Sequence, residues 1–118
     1  MMGEALDDDA ALRRAMNQLH VRGAQWVIIT MGKNGAAASD GKSFWTIPAI
    51  PVHAISPIGS GDAFAAGLAA GIAAGREVID ACRLAAACAA ANTLTLGPGN
   101  LKIDDVRRLE TIARIQPQ

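Results

Sequence analysis

Ser56-Pro57-Ile58-Gly59-Ser60-Gly61-Asp62-Ala63-Phe64-Ala65-Ala66-Gly67 is the stretch that decides how this chain is read. Two glycines flank a serine, an aspartate follows, and an apolar run rich in Ala and Gly begins. Locally this predicts a tight turn feeding straight into the first turn of a helix. Such a turn leaves several backbone N–H groups unpaired, with the positive end of the helix dipole behind them. That combination suits an anion, and a phosphate above all. Asp62 sets a carboxylate at the edge of the same spot. An anion hole with a carboxylate beside it is the pair of parts that phosphoryl transfer needs.

On the C-terminal side, Ala63 to Ala74 reads as a helix with Gly67, Gly71 and Gly75 along one face, where another element can approach closely. Arg76 to Leu94 reads as a second, Ala-rich helix ended by Leu96-Gly97-Pro98-Gly99-Asn100. Asp104 to Ile115 reads as a last amphipathic helix, with Val106, Leu109, Ile112 and Ala113 inward. On the N-terminal side, Asp8 to Val21 has helical spacing, with Leu12, Ala15, Met16 and Leu19 on one face and Gly23 as its stop. Gln25 to Met31 is a β-branched apolar run, as expected of a strand covered on both faces. Ala36 to Ser39 and Lys42 to Ile47 form a hairpin about a two-residue Asp40-Gly41 turn, and Val52 to Ile55 a further short strand. The whole is one α/β domain, residues 1–118, without repeats.

Composition narrows the chemistry. The chain of 118 residues is 51% apolar, enough for one real core. Aromatic residues make up only 3%, against a surface for stacking bases. The formal net charge is zero with no basic block, which removes the driving force for nucleic-acid or anionic-membrane binding. The longest apolar runs, Ala63 to Gly75 and Leu84 to Ala91, fall short of the roughly 18 residues of a membrane span. An acidic start without an apolar run is no signal peptide, so a soluble, cytoplasmic protein is expected. Cys82 and Cys88 are separated by about 600° of helix rotation and leave on different faces, so buried free thiols are expected rather than a bridge.

The order of buried strand, Gly-x-x-Gly turn, hairpin, Gly-Ser-Gly-Asp opening an Ala/Gly helix, Ala-rich helix and Gly-Pro-Gly resembles the C-terminal portion of the ribokinase-like carbohydrate kinases, the phosphofructokinase-B family. Ser56 to Leu68 is close to that family's second signature, and the resemblance spans roughly Gln25 to Leu109. The Pro-x-Gly-Ser-Gly-Asp form and the Thr-Leu-Gly-Pro-Gly end look most like the 1-phosphofructokinase and tagatose-6-phosphate kinase group. The fold implied is the C-terminal portion of a three-layer α/β/α sandwich with a β-hairpin in its middle. Complete members are much longer, and nothing here matches their Gly-Gly signature or their N-terminal sugar-binding and lid strands.

The resemblance implies ATP-dependent phosphorylation of a sugar or sugar-phosphate hydroxyl, with Mg²⁺ bridging the phosphates. Asp62 is implied as the base for the attacking hydroxyl; on local chemistry alone it is also an acid at a helix N-terminus, worth about 0.3–1 kcal/mol. The backbone of Gly59, Ser60 and Gly61 is implied as the anion hole, where a plain tight turn is the other reading. Thr30, Gly32 and Gly35, just past a strand end, are implied along the nucleotide's phosphates and ribose, or serve only as a hairpin entry. Ala86 and Ala90, one helical turn apart, are implied against the adenine, or pack as ordinary helix alanines. Ser56, Ile58 and Gly97 lie where some relatives bind a monovalent cation, K⁺, through carbonyls. His20 and His53 read as structural, and Lys33 as an exposed loop lysine.

Three functions follow as expectations. The chain is a carbohydrate kinase present as its nucleotide-binding part, an incomplete fragment that only holds nucleotide or phosphate, or a structural piece that pairs through an exposed sheet edge. Apolar surface left by the absent N-terminal part makes a homodimer an expected partner state.

Overall fold

The computed structural model describes residues 9–52, 59–94 and 102–117. The elements run α1 (Asp9–Val21), β1 (Val27–Thr30), a short 3₁₀ turn (Gly32–Asn34), β2 (Ala36–Ser39), β3 (Phe44–Ile47), α2 (Ser60–Ala73), α3 (Val78–Thr93), α4 (Ile103–Glu110) and β4 (Gln116–Pro117). The four strands form one antiparallel sheet in the order β1-β2-β3-β4.

The pleat sorts the strand residues onto two cores. Val27, Ile29, Ala37 and Phe44 face α1 and meet Leu12 and Met16. Ile28, Ala36, Ala38, Trp45 and Ile47 face the opposite way, onto the alanines of α3. Helix, sheet, helices: the layers are α/β/α, as the resemblance implied. All four residues of β2 are buried, which three alanines and a serine permit because helices press on both faces at close range.

α3 is the central helix of the second core. Ala81, Cys82, Ala85, Ala87, Ala91 and Asn92 are completely buried, because the sheet, α2 and α4 all pack against it. Small residues allow that crowding. A Cβ on Gly67 of α2 would lie 2.9 Å from Cys88 Sγ and 3.0 Å from Ala85 Cα, and one on Gly71 2.8 Å from Ala81 Cβ. Gly75 has a different task from the one its spacing suggests. A Cβ there would meet nothing within 4 Å, and its φ of +91° ends α2 in the left-handed cap that glycine adopts freely. Arg76 N then donates to Gly71 O at 3.0 Å, closing the cap. Gly23 (φ +110°) ends α1 the same way, as its position predicts.

Arg76 holds α4 in place by pairing with the Glu110 carboxylate, and Arg83 Nη2 donates to Glu110 O at 3.1 Å. Asp80 lies 3.5 Å from Arg83 and 3.8 Å from Arg76, so four residues of three segments share one surface network. His20 pins the other layer: Nδ1 donates to Ala24 O at 2.8 Å and Nε2 sits 3.0 Å from Ser39 Oγ. Its structural reading from sequence agrees with these contacts.

Several expectations need correction. β1 has helices over both faces but lies at a sheet edge, so Thr30 is exposed and only Val27 is fully buried. The hairpin is not a two-residue Asp40-Gly41 turn. Ser39 pairs with Phe44 across a four-residue connection, because Asp40 Oδ1 accepts from Lys42 N (2.9 Å) and Ser43 N (2.7 Å) and widens the loop. Leu19 is 43% exposed rather than inward, since the last turn of α1 lies at the sheet's margin, where His20 already reaches the final residue of β2. Cys88 is half-buried, while Cys82 is buried; both are free.

Toward the C-terminus, α4 stops at Glu110, and Ile112 is 53% exposed instead of inward. The chain turns there and adds β4 to the sheet, Trp45 opposite Pro117 and Thr46 opposite Gln116. Past the helix end Ala113 is still buried in the core, as expected, and Ile115 packs against it. Val52 belongs to no strand, and the rest of the Val52 to Ile55 strand lies outside the described residues.

Candidate functional site

α2 begins earlier than its apolar run. Gly59 takes φ +85° as the N-cap, and Ser60, Gly61 and Asp62 form the first turn. Only glycine reaches that φ without strain. The first bond of the helix runs from Ala63 N to Gly59 O at 2.9 Å. The N–H groups of Gly59, Ser60, Gly61 and Asp62 therefore have no helical acceptor, and among the described residues no N-cap side chain bonds them. Gly61 and Asp62 are exposed, and a Cβ on Gly61 would meet nothing within 4 Å. The geometry is an open cluster of donors at a positive helix end with a carboxylate on its rim, suited to anionic oxygen ligands.

Ser60 carries a feature that the sequence reading missed. Its Oγ is buried and finds no hydrogen-bond partner among the described residues, although the residue itself is only half-buried. A serine between two glycines drew attention to its backbone alone. Asn92 was missed as well: it is the one polar side chain wholly buried in α3, and it is hydrogen-bonded or otherwise partnered there. A lone amide in an alanine run was the only signal.

The second group of predicted residues forms a closed turn after β1. Met31 N donates to Gly35 O (2.7 Å), Asn34 N to Met31 O (3.0 Å) and Gly35 N to Gly32 O (3.0 Å). Thr30 is exposed at its entry, and Gly32, with φ +56°, faces open space. Gly35 is different: its φ is +83°, and a Cβ there would run into Ile47 O and come within 2.8 Å of Ala49 N. Positive φ and close backbone approach together account for a glycine here.

Ala86 and Ala90 are each 7% exposed and belong to the large core, together with Ala36, Ile47 and Phe64. Phe64 stands one turn beyond the Gly59–Asp62 donors, and Ala36 follows Gly35. The two turns and the Ala86–Ala90 face thus border a single core. Ser56, Ile58, Gly97 and His53 lie outside the described residues. Among the described residues no group of three His, Cys, Asp or Glu side chains can hold a metal ion. No helix among them is long and apolar enough to cross a membrane.

Comparison with known proteins shows what this chain is similar to. The profile described as pfkB family carbohydrate kinase matches residues 1–105. Fructoselysine 6-kinase of Shigella flexneri is 43% identical over 86 residues, covering 73% of this chain and 33% of that protein. ATP-dependent 6-phosphofructokinase isozyme 2 of Mycobacterium tuberculosis is 34% identical over 100 residues, covering 84% and 30%. The crystal structure of phosphofructokinase-2 from Escherichia coli in complex with potassium superposes with a TM-score of 0.80 at 23% identity, covering 89% of this chain and 34% of that one. Ribokinase from Thermotoga maritima superposes with a TM-score of 0.77 at 21% identity, covering 83% and 34%. The chain spans about a third of the length of the curated relatives it matches.

Proposed function

The chain belongs to the pfkB family of carbohydrate kinases, and we propose that it is the part of such a kinase that binds ATP and transfers its terminal phosphoryl group to a sugar or sugar-phosphate hydroxyl. The observation that carries this reading is the first turn of α2, with four backbone donors that have no helical acceptor and exposed Asp62 beside them. In the proposed step the acceptor hydroxyl attacks the γ-phosphorus, its proton passes to Asp62, and ADP leaves. Phosphoryl transfer runs through a loose transition state, so orientation by an ionised carboxylate matters more than basicity. The N–H groups of Gly59, Ser60 and Gly61 hold the oxygens on which charge develops.

Thr30, Gly32 and Gly35 are proposed to follow the nucleotide's phosphates and ribose, and Ala86 and Ala90 to back its adenine. The donor set fits a metal carried by the nucleotide: with a single carboxylate on the rim, Mg²⁺ would be held mainly by phosphate oxygens, where it neutralises charge. A hexose-phosphate acceptor of the 1-phosphofructokinase or tagatose-6-phosphate kinase type is the specific form proposed, and a K⁺ ion near Ser56, Ile58 and Gly97 part of the same reading. Homodimerisation is proposed too; the outer edge of β1 is unpaired among the described residues.

One observation favours a second reading. Because the chain spans about a third of its relatives, it is able to supply the nucleotide side while another polypeptide segment supplies the acceptor side. On that reading the chain binds nucleotide without turnover. Calorimetry with Mg-ATP tests what both readings share: absence of binding at millimolar nucleotide overturns them together. ADP release measured over a panel of hexoses and hexose phosphates separates them, since turnover by this chain alone supports the first and its absence the second.

A further inference from the structure

A groove of about 180 Å³ opens between α1 and the tip of the β2–β3 hairpin. Arg13 and Asn17, one turn apart on α1, line it together with Ser39, Gly41, Lys42, Ser43 and Phe44 of the hairpin. It lies at the Ser39–Phe44 end of the sheet, whereas the Thr30–Gly35 turn lies at the opposite end, about 10 Å of strand away.

Two arrangements prepare the groove for a negative charge. The Arg13 guanidinium carbon stands 4.3 Å from the centroid of the Phe44 ring. Stacking of this kind fixes the plane of the fork and leaves its N–H edges pointing away from the ring, and no ion pair among the described residues takes them up. Asp40, the nearest carboxylate in the loop, is not in the lining; its Oδ1 is taken up by Lys42 N and Ser43 N. Among the described residues the lining therefore holds two cations, an amide and two hydroxyls, and no acidic group.

We propose that this groove is a binding site for a small oxyanion, inorganic phosphate or a phosphate monoester, separate from the phosphoryl-transfer site at α2. Arg13 and Lys42 supply charge-assisted donors, and Asn17 and Ser43 supply neutral ones. The site faces solvent, so binding weakens as ionic strength rises.

The test is an amide and Arg side-chain NMR titration of the intact chain with inorganic phosphate, and separately with glycerol phosphate, at constant ionic strength set by chloride. The expected result is saturable shifts at Gly41, Lys42, Ser43 and the Arg13 Nε, with binding about tenfold weaker in Arg13→Gln and in Lys42→Gln, the scale of one lost charge-assisted contact. Saturation by inorganic phosphate alone identifies the free ion as the ligand, and saturation by both identifies the phosphate group. Asp62→Asn leaves these shifts unchanged, which keeps the result independent of the α2 site. Absence of saturation by either compound at tens of millimolar, or parent-like binding by both variants, overturns the proposal. If Arg13→Gln does not fold, Lys42→Gln at the exposed loop decides it.

Discussion

Gly35 lies directly against the carbonyl of Ile47, with no room between them for a side chain. The contact joins the turn after β1 to the exit of β3, where Pro48 and Ala49 follow. One backbone position therefore carries both a positive φ and a close main-chain approach.

Gly35→Ala is expected to destabilise the chain by about 3 kcal/mol or more, since strain at φ +83° and a clash with rigid backbone act together. Gly61→Ala is the contrast: it has ordinary φ and open space and sits in a helix, where alanine is favoured by about 1 kcal/mol. Denaturant unfolding of the two variants checks the pair. Parent-like stability of Gly35→Ala would show that the turn can open away from Ile47.

Asp62→Ala should abolish phosphoryl transfer while nucleotide affinity changes little. The exposed side chain contributes to the fold only through the helix end, about 0.3–1 kcal/mol. Turnover and Mg-ATP calorimetry on the same preparation separate the roles. Equal loss of binding and turnover would assign Asp62 to the architecture of the loop. If the unsubstituted chain binds without turning over, the turnover comparison is made with the acceptor-binding polypeptide added.

The hairpin loop has a predictable response to acid. Hydrogen bonds from Ser43 N and Lys42 N hold the Asp40 carboxyl below its ordinary value of 3.8. A group with a depressed folded pKa stabilises fully above the unfolded value and loses that contribution as pH falls through the folded one. The amide shifts of Lys42 and Ser43 should thus titrate with a midpoint below 3.8. A midpoint at or above 3.8 would contradict the loop geometry.

Burial pushes the Cys82 thiol up to about 11 and raises Cys88 as well. The nucleophilic thiolate is scarce in both at pH 8, and Cys82 is also inaccessible. Alkylation followed by mass spectrometry should leave Cys82 unmodified in the native protein, label Cys88 slowly, and label both at once in denaturant. Rapid native labelling of Cys82 would mean that α3 separates from the sheet.

Local chemistry made much of this molecule legible before any coordinates. Glycine spacing, caps and β-branched runs predicted α1, β1, the hairpin strands, α2 and α3 close to where they lie, because each depends on neighbours in the chain. The donor cluster at Gly59–Asp62 was legible for the same reason: free N–H groups at a helix start follow from backbone geometry alone. Tertiary structure decided the rest. Nothing local distinguishes an edge strand from an interior one, so the exposure of Thr30 followed from sheet order. Asp40 widened the hairpin through its own side chain, and β4 ended α4 early by pairing with a strand some 70 residues away in the chain, as the Thr46–Gln116 contact shows. Ser60 Oγ and Asn92 became noteworthy only when packing removed water from them, since how a polar group is satisfied matters most inside a core. Sequence by itself determined the segments and the chemistry at the start of α2; packing determined which faces are covered and which glycines are indispensable, because those depend on distances between residues far apart in the chain.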